Sequence, residues 1–209
     1  MVESGGVRDV LVAARREQIL AAATQVFAQK GFSRATTRKV TKEAGVSEGT
    51  IYNYFEDKDA LLMAIMDKLN ETERRAGDFR EGLATDYEGF FEAYLSWRMA
   101  LIWENREVFR VVLSEMLVNA GLRERYLREV VEPTIKIGEK YFRARVEQGD
   151  ASAGDVPLAM RAVAGAVLGL LVLGLLGDEE VGARWDEASG VLGGLLVNGL
   201  QKTGGDRHA

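Results

Sequence analysis

The sequence of 209 residues has no cysteine, one histidine and two prolines, and each scarcity excludes a kind of structure or chemistry. Without cysteine there are no disulfides and no thiolate metal ligands, which fits a protein of the reducing cytoplasm. The one histidine, His208, lies in a Gly-rich stretch at the C-terminus, so a histidine metal site or catalytic triad cannot be assembled. We therefore expect neither a metal ion nor another cofactor.

The sequence also lacks the patterns that would indicate an enzyme or a membrane protein. It has no Gly-rich phosphate loop and no alternation of strands and helices, so we predict that the protein is not an enzyme. The first 14 residues contain early acids and no apolar run, so no signal peptide is expected. The longest apolar run, Ala162–Gly177, would form a helix of about 24 Å, against about 30 Å for a bilayer core. The predicted location is the cytoplasm.

What the sequence does contain is apolar residues at the three- and four-residue spacing of helices along most of its length. The pattern predicts an all-α protein of about nine helices, with a small three-helix N-terminal domain joined to a larger helical domain. We expect a flexible N-terminal arm at 1–14, the small domain at 15–75, the larger domain at 76–203 and a disordered tail at 204–209.

Helix boundaries follow from caps and breakers. The predicted helices are, in chain order, 16–30, 37–44, 47–55, 58 to beyond 69, 86–104, 106–119, 122–148, 156–177 and 183–201. Pro133 either kinks the helix at 122–148 or marks its true start.

The net charge of −5 hides an asymmetry along the chain. Residues 15–43 contain seven basic side chains against the two acids Glu17 and Glu43, whereas residues 59–209 contain 18 basic and 25 acidic side chains. A basic N-terminal part on an acidic body suits a domain that faces phosphates. On charge alone, a solvated helix surface explains the pattern equally well.

Residues 37–55 satisfy the demands of a helix-turn-helix, in which two short helices cross over a turn of three or four residues. Thr36 and Ser47 are predicted N-caps, and Gly45 supplies a residue that tolerates a left-handed backbone at the turn. Val40, Ala44, Val46, Ile51 and Phe55 provide the inner apolar face. The outward face of the second helix, which carries Thr50 and Asn53, is polar and almost uncharged, as suits side chains that reach base edges.

Three segments of this region resemble the N-terminal domain of the tetracycline-repressor (TetR) family. They are Arg-Glu-Gln-Ile-Leu at 16–20, Gly-Phe-Ser-Arg-Ala-Thr-Thr-Arg-Lys-Val at 31–40, and Gly-Val-Ser-Glu-Gly-Thr-Ile-Tyr-Asn-Tyr-Phe-Glu-Asp-Lys-Asp-Ala-Leu-Leu at 45–62. The resemblance covers under a quarter of the chain. The rest resembles that family only in its helical pattern and its length.

The resemblance implies a role for individual residues of the N-terminal domain. Thr37, Tyr54 and Lys58 match positions that bind phosphate oxygens in the family, and Gly49 matches a position where the backbone comes close to DNA. Arg38, Thr50 and Tyr52 match positions that touch bases or the adjacent backbone. With the outward-facing Asn53, the predicted DNA-binding residues are Thr37, Arg38, Gly49, Thr50, Tyr52, Asn53, Tyr54 and Lys58.

Two positions depart from the usual pattern of the family. Thr41 replaces a small alanine, and its hydroxyl needs a local hydrogen-bond partner. Glu48 stands where lysine or another polar residue is frequent, and an acid there is repelled by phosphates. Glu48 therefore either accepts a hydrogen bond from a cytosine amino group or points away from the DNA.

A single recognition helix reads only a few base pairs, so proteins of this kind usually bind DNA as dimers with heads about 34–36 Å apart. Residues 157–177 and 185–200 are rich in Leu, Val, Ala and Gly, and an isologous four-helix interface would bury them. The family resemblance implies the same homodimer. The alternative interpretation is that these helices form the core of a monomer.

The middle of the chain is rich in aromatic and methionine side chains: Phe90, Phe91, Tyr94, Trp97, Met99, Trp103, Phe109, Met116, Tyr126, Tyr141 and Phe142. Such residues either form the core or line a ligand cavity. The candidates for ligand binding are Tyr94, Trp97, Trp103, Met116 and Tyr141, and sparse buried charge favours a small apolar or amphipathic effector.

These patterns together predict a ligand-responsive transcriptional repressor that binds palindromic operator DNA as a homodimer and is released by its effector. Release requires that the effector have different affinities for two states of the dimer. A helix-turn-helix activator, or a DNA-binding regulator without a small-molecule ligand, is the alternative that the sequence leaves open.

Overall fold

The computed structural model describes residues 4–151 and 154–200, and every regular element in these ranges is helical, as predicted. The α-helices are α1 (Ser4–Lys30), α2 (Thr37–Ala44), α3 (Glu48–Tyr52), α4 (Lys58–Asn70), α5 (Thr72–Gly82), α6 (Tyr87–Glu104), α7 (Arg106–Val118), α8 (Ala120–Tyr126), α9 (Glu132–Gln148), α10 (Val156–Leu175), α11 (Glu179–Ala183) and α12 (Trp185–Leu200). A π-helical turn, Leu127–Val131, separates α8 from α9. The predicted tail at 204–209 lies outside the described residues.

The described part of the arm predicted at 1–14 is helical, because α1 already begins at Ser4. Nothing between Gly6 and Lys30 breaks a helix: the segment has no proline, and its alanines, arginines and valines all accept helical geometry. Residues 8–15 are nevertheless exposed, so the absence of a buried face misled the prediction.

The helix predicted from Lys58 to beyond Leu69 is confirmed as α4, which ends at Asn70, whereas the separate helix α5, which begins at Thr72, was not predicted. Between them Glu71 adopts a left-handed backbone with φ 49°. A non-glycine residue seldom adopts that conformation, and so no breaker was visible in the sequence. The helix predicted at 122–148 is divided. Pro133 lies in the first turn of α9 and marks its start, as one of the two sequence interpretations held.

The described residues divide into two compact units, which are not the contiguous domains predicted with a boundary at 75/76. The N-terminal unit contains the described residues up to Asn70 together with Glu107–Tyr126, and the C-terminal unit contains Glu71–Arg106 and the described residues from Leu127 onward. An amphipathic pattern shows that a helix has a buried face, but it does not show which helices cover that face.

The core of the N-terminal unit is formed by side chains of α1, α2, α3 and α4 that are almost completely buried. They include Ile19, Leu20, Phe27, Val40, Ile51, Leu61 and Leu62. Helix α7 adds Val108, Val111 and Val112, and Ser33 donates a hydrogen bond to Glu115 Oε1 at 3.3 Å.

In the C-terminal unit, α6 packs on α12 and α9 packs on α10 and α5. Trp185 Nε1 donates to the carbonyl of Met99 at 3.0 Å, and its ring stacks on Trp103 with centroids 4.5 Å apart. Gly193 lies close to Glu92 of α6, so this glycine serves packing within the protomer.

The outer sides of α10 and α12 remain apolar and exposed. Exposed side chains include Leu158, Leu168, Val172 and Leu173 on α10, Leu176 directly after it, and Val191 and Leu195 on α12. Helix α10 has 20 residues because it begins at Val156, after the N-cap Asp155, and is thus longer than the predicted apolar run. By length and composition alone α10 could cross a membrane, and only 11% of its most apolar window is buried.

Candidate nucleic-acid interface and ligand groove

The turn between α2 and α3 is built from local interactions that the sequence predicts. Thr36 Oγ1 accepts a hydrogen bond from the Lys39 amide at 3.3 Å, and Ser47 Oγ accepts one from the Thr50 amide at 3.2 Å. Gly45 has φ 65° and ψ 33°, which is the left-handed conformation expected at this position. These caps end α2 and start α3 within four residues, so the angle between the two helices is defined locally.

The inner face of the motif is buried as expected. Val40 is fully buried, and Ala44, Ile51 and Phe55 are at most 5% exposed. Val46, the residue predicted to fill the angle between the helices, is half-buried. Gln18 of α1 donates its side-chain amide to the carbonyl of Ala44 at 2.7 Å, which attaches the end of α2 to the first helix.

The predicted DNA-binding residues on the outer face of the motif differ in how much of each is exposed to solvent. Tyr52 is 57% exposed, Arg38, Gly49 and Asn53 are exposed, and Thr37, Thr50 and Tyr54 are half-buried. The Thr50 hydroxyl lies 2.8 Å from Ser47 Oγ, which fixes its side chain. Within the described residues, no hydrogen bond or ion pair engages the guanidinium group of Arg38.

Lys58 differs from the other predicted DNA-binding residues because its ammonium group has internal partners. It donates to the carbonyls of Phe32 at 2.8 Å and Ala35 at 3.3 Å, and it lies 4.1 Å from the centre of the Phe32 ring. The start of α4 is thereby attached to the loop that leads into α2. These contacts show an internal role for Lys58 beside the phosphate contact that the family resemblance implies.

The two departures from the family pattern are both accommodated. Thr41 is buried, and its hydroxyl donates to the carbonyl of Arg38 at 2.8 Å, so the local partner it requires is present. Glu48 is exposed in the first turn of α3, where a negative charge interacts favourably with the helix dipole.

The C-terminal unit contains an open groove of about 380 Å³. Its lining residues are Arg74, Asp78, Glu81, Gly82, Thr85, Phe90, Ala93, Tyr94 and Trp97. Two of the five predicted ligand-binding residues, Tyr94 and Trp97, therefore lie in one cavity. Tyr141 lies behind it, 4% exposed, with its ring centre 5.1 Å from those of Phe79 and Phe90.

The other two predicted ligand-binding residues lie elsewhere. Trp103 is stacked on Trp185, and a side chain at Gly174 would collide with its ring at 2.8 Å. Met116 is buried in the N-terminal unit. The structure does not bring either residue into the groove.

Sequence reasoning missed the polar wall of the groove, although a signal for it exists. The polar residues of this wall recur at three- and four-residue spacing. Arg74, Asp78 and Glu81 therefore share one face of α5, and Thr85 follows in the turn between α5 and α6. Phe90, Tyr94 and Trp97 have the same spacing on α6. Unless the start of a helix at Thr72 is known, the spacing of the polar residues cannot be recognised as one face of a helix.

Arg145 supports the groove from behind. This side chain is 3% exposed, and its guanidinium donates to the carbonyls of Gly82 and Thr85, to the Tyr141 hydroxyl at 3.1 Å and to Asp150 at 2.8 Å. Burial alone would lower the pKa of Arg145, but the hydrogen bonds with Asp150 and Tyr141 raise it above its ordinary value. Arg145 thus remains charged and joins α9 to the turn between α5 and α6.

A capped helix-turn-helix with an exposed polar second helix is the arrangement of helix-turn-helix DNA-binding domains. Residues 19–65 match the family model described as bacterial regulatory proteins of the tetR family. The chain therefore carries a tetR-family DNA-binding domain, and its all-α fold is that of TetR-family transcriptional regulators.

Individual relatives match over different parts of the chain. A helix-turn-helix transcriptional repressor of Mycobacterium tuberculosis is 45% identical over 73 residues, which cover 34% of this chain and 38% of that protein. The fatty acid metabolism regulator protein of Bacillus subtilis is 27% identical over 167 residues, which cover 78% of this chain and 84% of that protein.

A solved structure with a similar fold is that of the transcriptional regulator FadR from Bacillus subtilis in complex with stearoyl-CoA. It has a TM-score of 0.70 and 22% sequence identity, and the alignment covers 88% of this chain and 98% of that one.

Proposed function

We propose that this protein is a ligand-responsive transcriptional repressor of the cytoplasm, which binds palindromic operator DNA as a homodimer and leaves it when a small molecule binds. The observation that carries the proposal is the exposed polar face of α3, which is held on a buried apolar face within a tetR-family domain. A surface of this kind suits direct reading of base edges in the major groove.

The contacts to DNA would be divided between backbone and bases. Thr37, Tyr54 and Lys58 would bind phosphates, which position the head but carry no sequence information. Arg38, Thr50, Tyr52 and Asn53 would contact base edges or the adjacent backbone, and Gly49 would allow the backbone of α3 to come close to the DNA. The exposure of Tyr52 and the unengaged guanidinium of Arg38 support these roles.

The homodimer would form through the exposed apolar sides of α10 and α12, within residues 157–177 and 185–200. Several exposed leucines and valines on these two helices are typical of an interface, and a twofold axis would bury the same side chains on both copies. The dimer would also give the apolar helix α10 a protein environment in place of a membrane.

The effector would bind in the groove that contains Tyr94 and Trp97. Its volume of about 380 Å³ falls within the range of about 300–1,000 Å³ for small-molecule sites. The aromatic side favours an apolar or amphipathic molecule, and the fold similarity to a regulator solved with stearoyl-CoA is consistent with an amphipathic effector.

An electrophoretic mobility shift assay on the DNA that flanks the protein's own coding region tests the proposal. We expect a shift that weakens steeply with salt and that is lost when the effector is added. A reporter gene under the same promoter should be silenced by the protein. Absence of salt-dependent affinity for any duplex would contradict the proposal, and activation of the reporter would contradict repression.

A further inference from the structure

The groove of the C-terminal unit has a charge pattern that selects among amphipathic ligands. Its aromatic side consists of Phe90, Tyr94 and Trp97, which lie along one face of α6. The ring centres of Phe90 and Tyr94 are 6.2 Å apart, and those of Tyr94 and Trp97 are 6.0 Å apart. The three rings therefore form a continuous apolar wall.

The opposite wall, on α5, is acidic. Among the described lining residues, Arg74 is the one cation, while Asp78 and Glu81 are carboxylates. Glu71 forms an ion pair with Arg74 at 3.2 Å, and Asp78 approaches Arg74 at 3.9 Å. The described charged residues that line the groove, Arg74, Asp78 and Glu81, have a net charge of −1, and Glu81 has no hydrogen-bond or ion-pair partner among the described residues.

The described cations Arg145 and Arg80 do not change this balance. The guanidinium of Arg145 lies behind the wall and is paired with Asp150. Arg80 is exposed on α5 two residues from Asp78, which at about 100° per residue turns it away from the groove face.

The protein itself places a cation on the aromatic wall. The guanidinium carbon of Arg74 lies 4.5 Å from the centre of the Trp97 ring, although the Arg74 side chain is 56% exposed. The face of Trp97 is thus open to the groove and binds a positive charge through the ring quadrupole. A ligand cation of similar size could replace the exposed arginine there.

We infer that the effector groove takes a lipophilic organic cation, whose apolar body lies on the Phe90–Tyr94–Trp97 wall and whose charge lies between Trp97 and the carboxylates of α5. The inference deepens the proposed function and rests on it in treating the groove as the effector site. It also distinguishes this chain from a regulator of acyl-CoA, because the phosphates of such a ligand would face a net negative wall.

Two ions of nearly the same shape and opposite charge test the inference directly. Tetraphenylphosphonium and tetraphenylborate are titrated into the full-length protein, and binding is followed by calorimetry and by tryptophan fluorescence. We expect the phosphonium to bind more tightly and its affinity to fall with ionic strength. Tighter binding of the borate, or binding of neither ion, would overturn the inference.

Single substitutions locate the binding and exclude a general effect of the negative protein. Glu81→Gln should weaken phosphonium binding roughly two- to fivefold, as for an exposed charge pair, and Trp97→Leu should weaken it roughly fivefold through loss of the cation–π contact. Arg74→Gln should strengthen it, because a competing cation is removed. The matched control is Glu147→Gln, an exposed carboxylate of α9 outside the groove. Equal weakening by Glu147→Gln would overturn the inference.

The mobility shift assay separates this inference from the proposed function. If the phosphonium binds with the expected charge dependence and releases DNA, both stand. If it binds in this way but leaves DNA affinity unchanged, the ligand class stands and the effector role of the groove is contradicted. If the borate binds more tightly and releases DNA, the ligand class is overturned while ligand-controlled repression stands.

Discussion

At the scale of single residues, Lys58 takes part both in the local structure of the motif and in the surface proposed to face DNA. Its ammonium group contacts the carbonyls of Phe32 and Ala35, which precede the first helix of the motif by a few residues. Because Lys58 is half-buried, its charge still lies near the surface that would face phosphates. The side chain therefore affects both stability and DNA binding, and the two effects need separate measurements.

We predict that Lys58→Met lowers the free energy of unfolding by about 1–2 kcal/mol, since two carbonyls lose a charged donor. It should also weaken binding to all DNA sequences and lower the slope of log affinity against log salt by about one. Denaturant unfolding and shift assays over a salt series measure the two effects.

Lys68→Met is the matched control, because Lys68 is exposed near the end of the same helix and pairs with Glu17. It should leave the salt slope unchanged. If Lys58→Met left the salt slope unchanged, the phosphate contact proposed for Lys58 would be contradicted and only its internal hydrogen bonds would remain.

Tyr87 is a second residue with a measurable consequence. Its hydroxyl is buried and has no hydrogen-bond partner among the described residues. Burial, aided by the proximity of Tyr141, raises the pKa of Tyr87 to about 12 from its ordinary value near 10. The folded state therefore holds this proton more tightly than the unfolded state. The stability that results is complete below pH 10 and is lost between about pH 10 and 12.

We predict that the free energy of unfolding falls by up to about 2 kcal/mol over this pH range in the wild type. Tyr87→Phe should reduce the fall, and at pH 7 it should leave stability unchanged or raise it by about 1 kcal/mol, because an unpaired polar group is removed. Urea unfolding at several pH values measures both. A Tyr87→Phe protein with the same pH profile and lower stability at pH 7 would show that the hydroxyl has a partner.

At the scale of secondary-structure elements, the buried Arg145 joins three of them. It links α9 to the carbonyls of Gly82 and Thr85 at the turn between α5 and α6. Through the Tyr141 hydroxyl it also holds the ring that packs behind Phe90. Removal of the guanidinium would leave the Thr85 carbonyl and the Asp150 carboxylate without this donor, while the Gly82 carbonyl keeps the hydrogen bonds from the Thr85 amide and hydroxyl.

We predict that Arg145→Met lowers the free energy of unfolding by about 2–3 kcal/mol, because several hydrogen bonds to one buried, charged donor are lost. Groove ligands should also bind less tightly, because Gly82, Thr85 and Phe90 lose their support. Arg184→Gln is the control: Arg184 makes two ion pairs at the surface, and its loss should shift the unfolding midpoint little. Equal destabilisation by both variants would contradict the role assigned to Arg145.

The elements also show which parts of the structure a sequence makes visible. Helix α2 and the caps of α3 could be predicted because Thr36, Gly45 and Ser47 act on neighbours within four residues. The groove could not be predicted as a whole, because its walls come from α5 and α6 and its support comes from Arg145, which lies 63 positions after Gly82. Helix α5 itself was missed because Glu71, the residue that separates it from α4, has a left-handed backbone conformation that glutamate rarely adopts.

At the scale of the whole molecule, the fold class was predictable, whereas the grouping of its helices was not. Periodicity showed that α7 and α10 each have apolar side chains to bury. It could not show that α7 belongs with the N-terminal unit, or that α10 would retain an exposed apolar side. The exposed leucines of α10 and α12 are the observation from which the homodimer can be tested.

We predict that Leu195→Glu, on α12, converts the protein from a dimer to a monomer of 23.0 kDa and strongly weakens operator binding. A twofold axis would place two glutamates in one apolar interface, where unpaired charges are costly to bury. A dimer with one recognition helix on each copy reads two half-sites, so a monomer loses half of the contacts. Sedimentation and the shift assay measure the two outcomes.

Leu117→Glu is the matched control, since Leu117 is 81% exposed on α7 of the N-terminal unit and Leu195 is 69% exposed. It introduces the same charge at an equally apolar surface position outside residues 157–177 and 185–200. We expect Leu117→Glu to remain dimeric and to bind DNA. The reverse result, a dimeric Leu195→Glu and a monomeric Leu117→Glu, would move the interface from α10 and α12 to α7, because the charged variant that loses the dimer identifies the helix at the copy-to-copy contact.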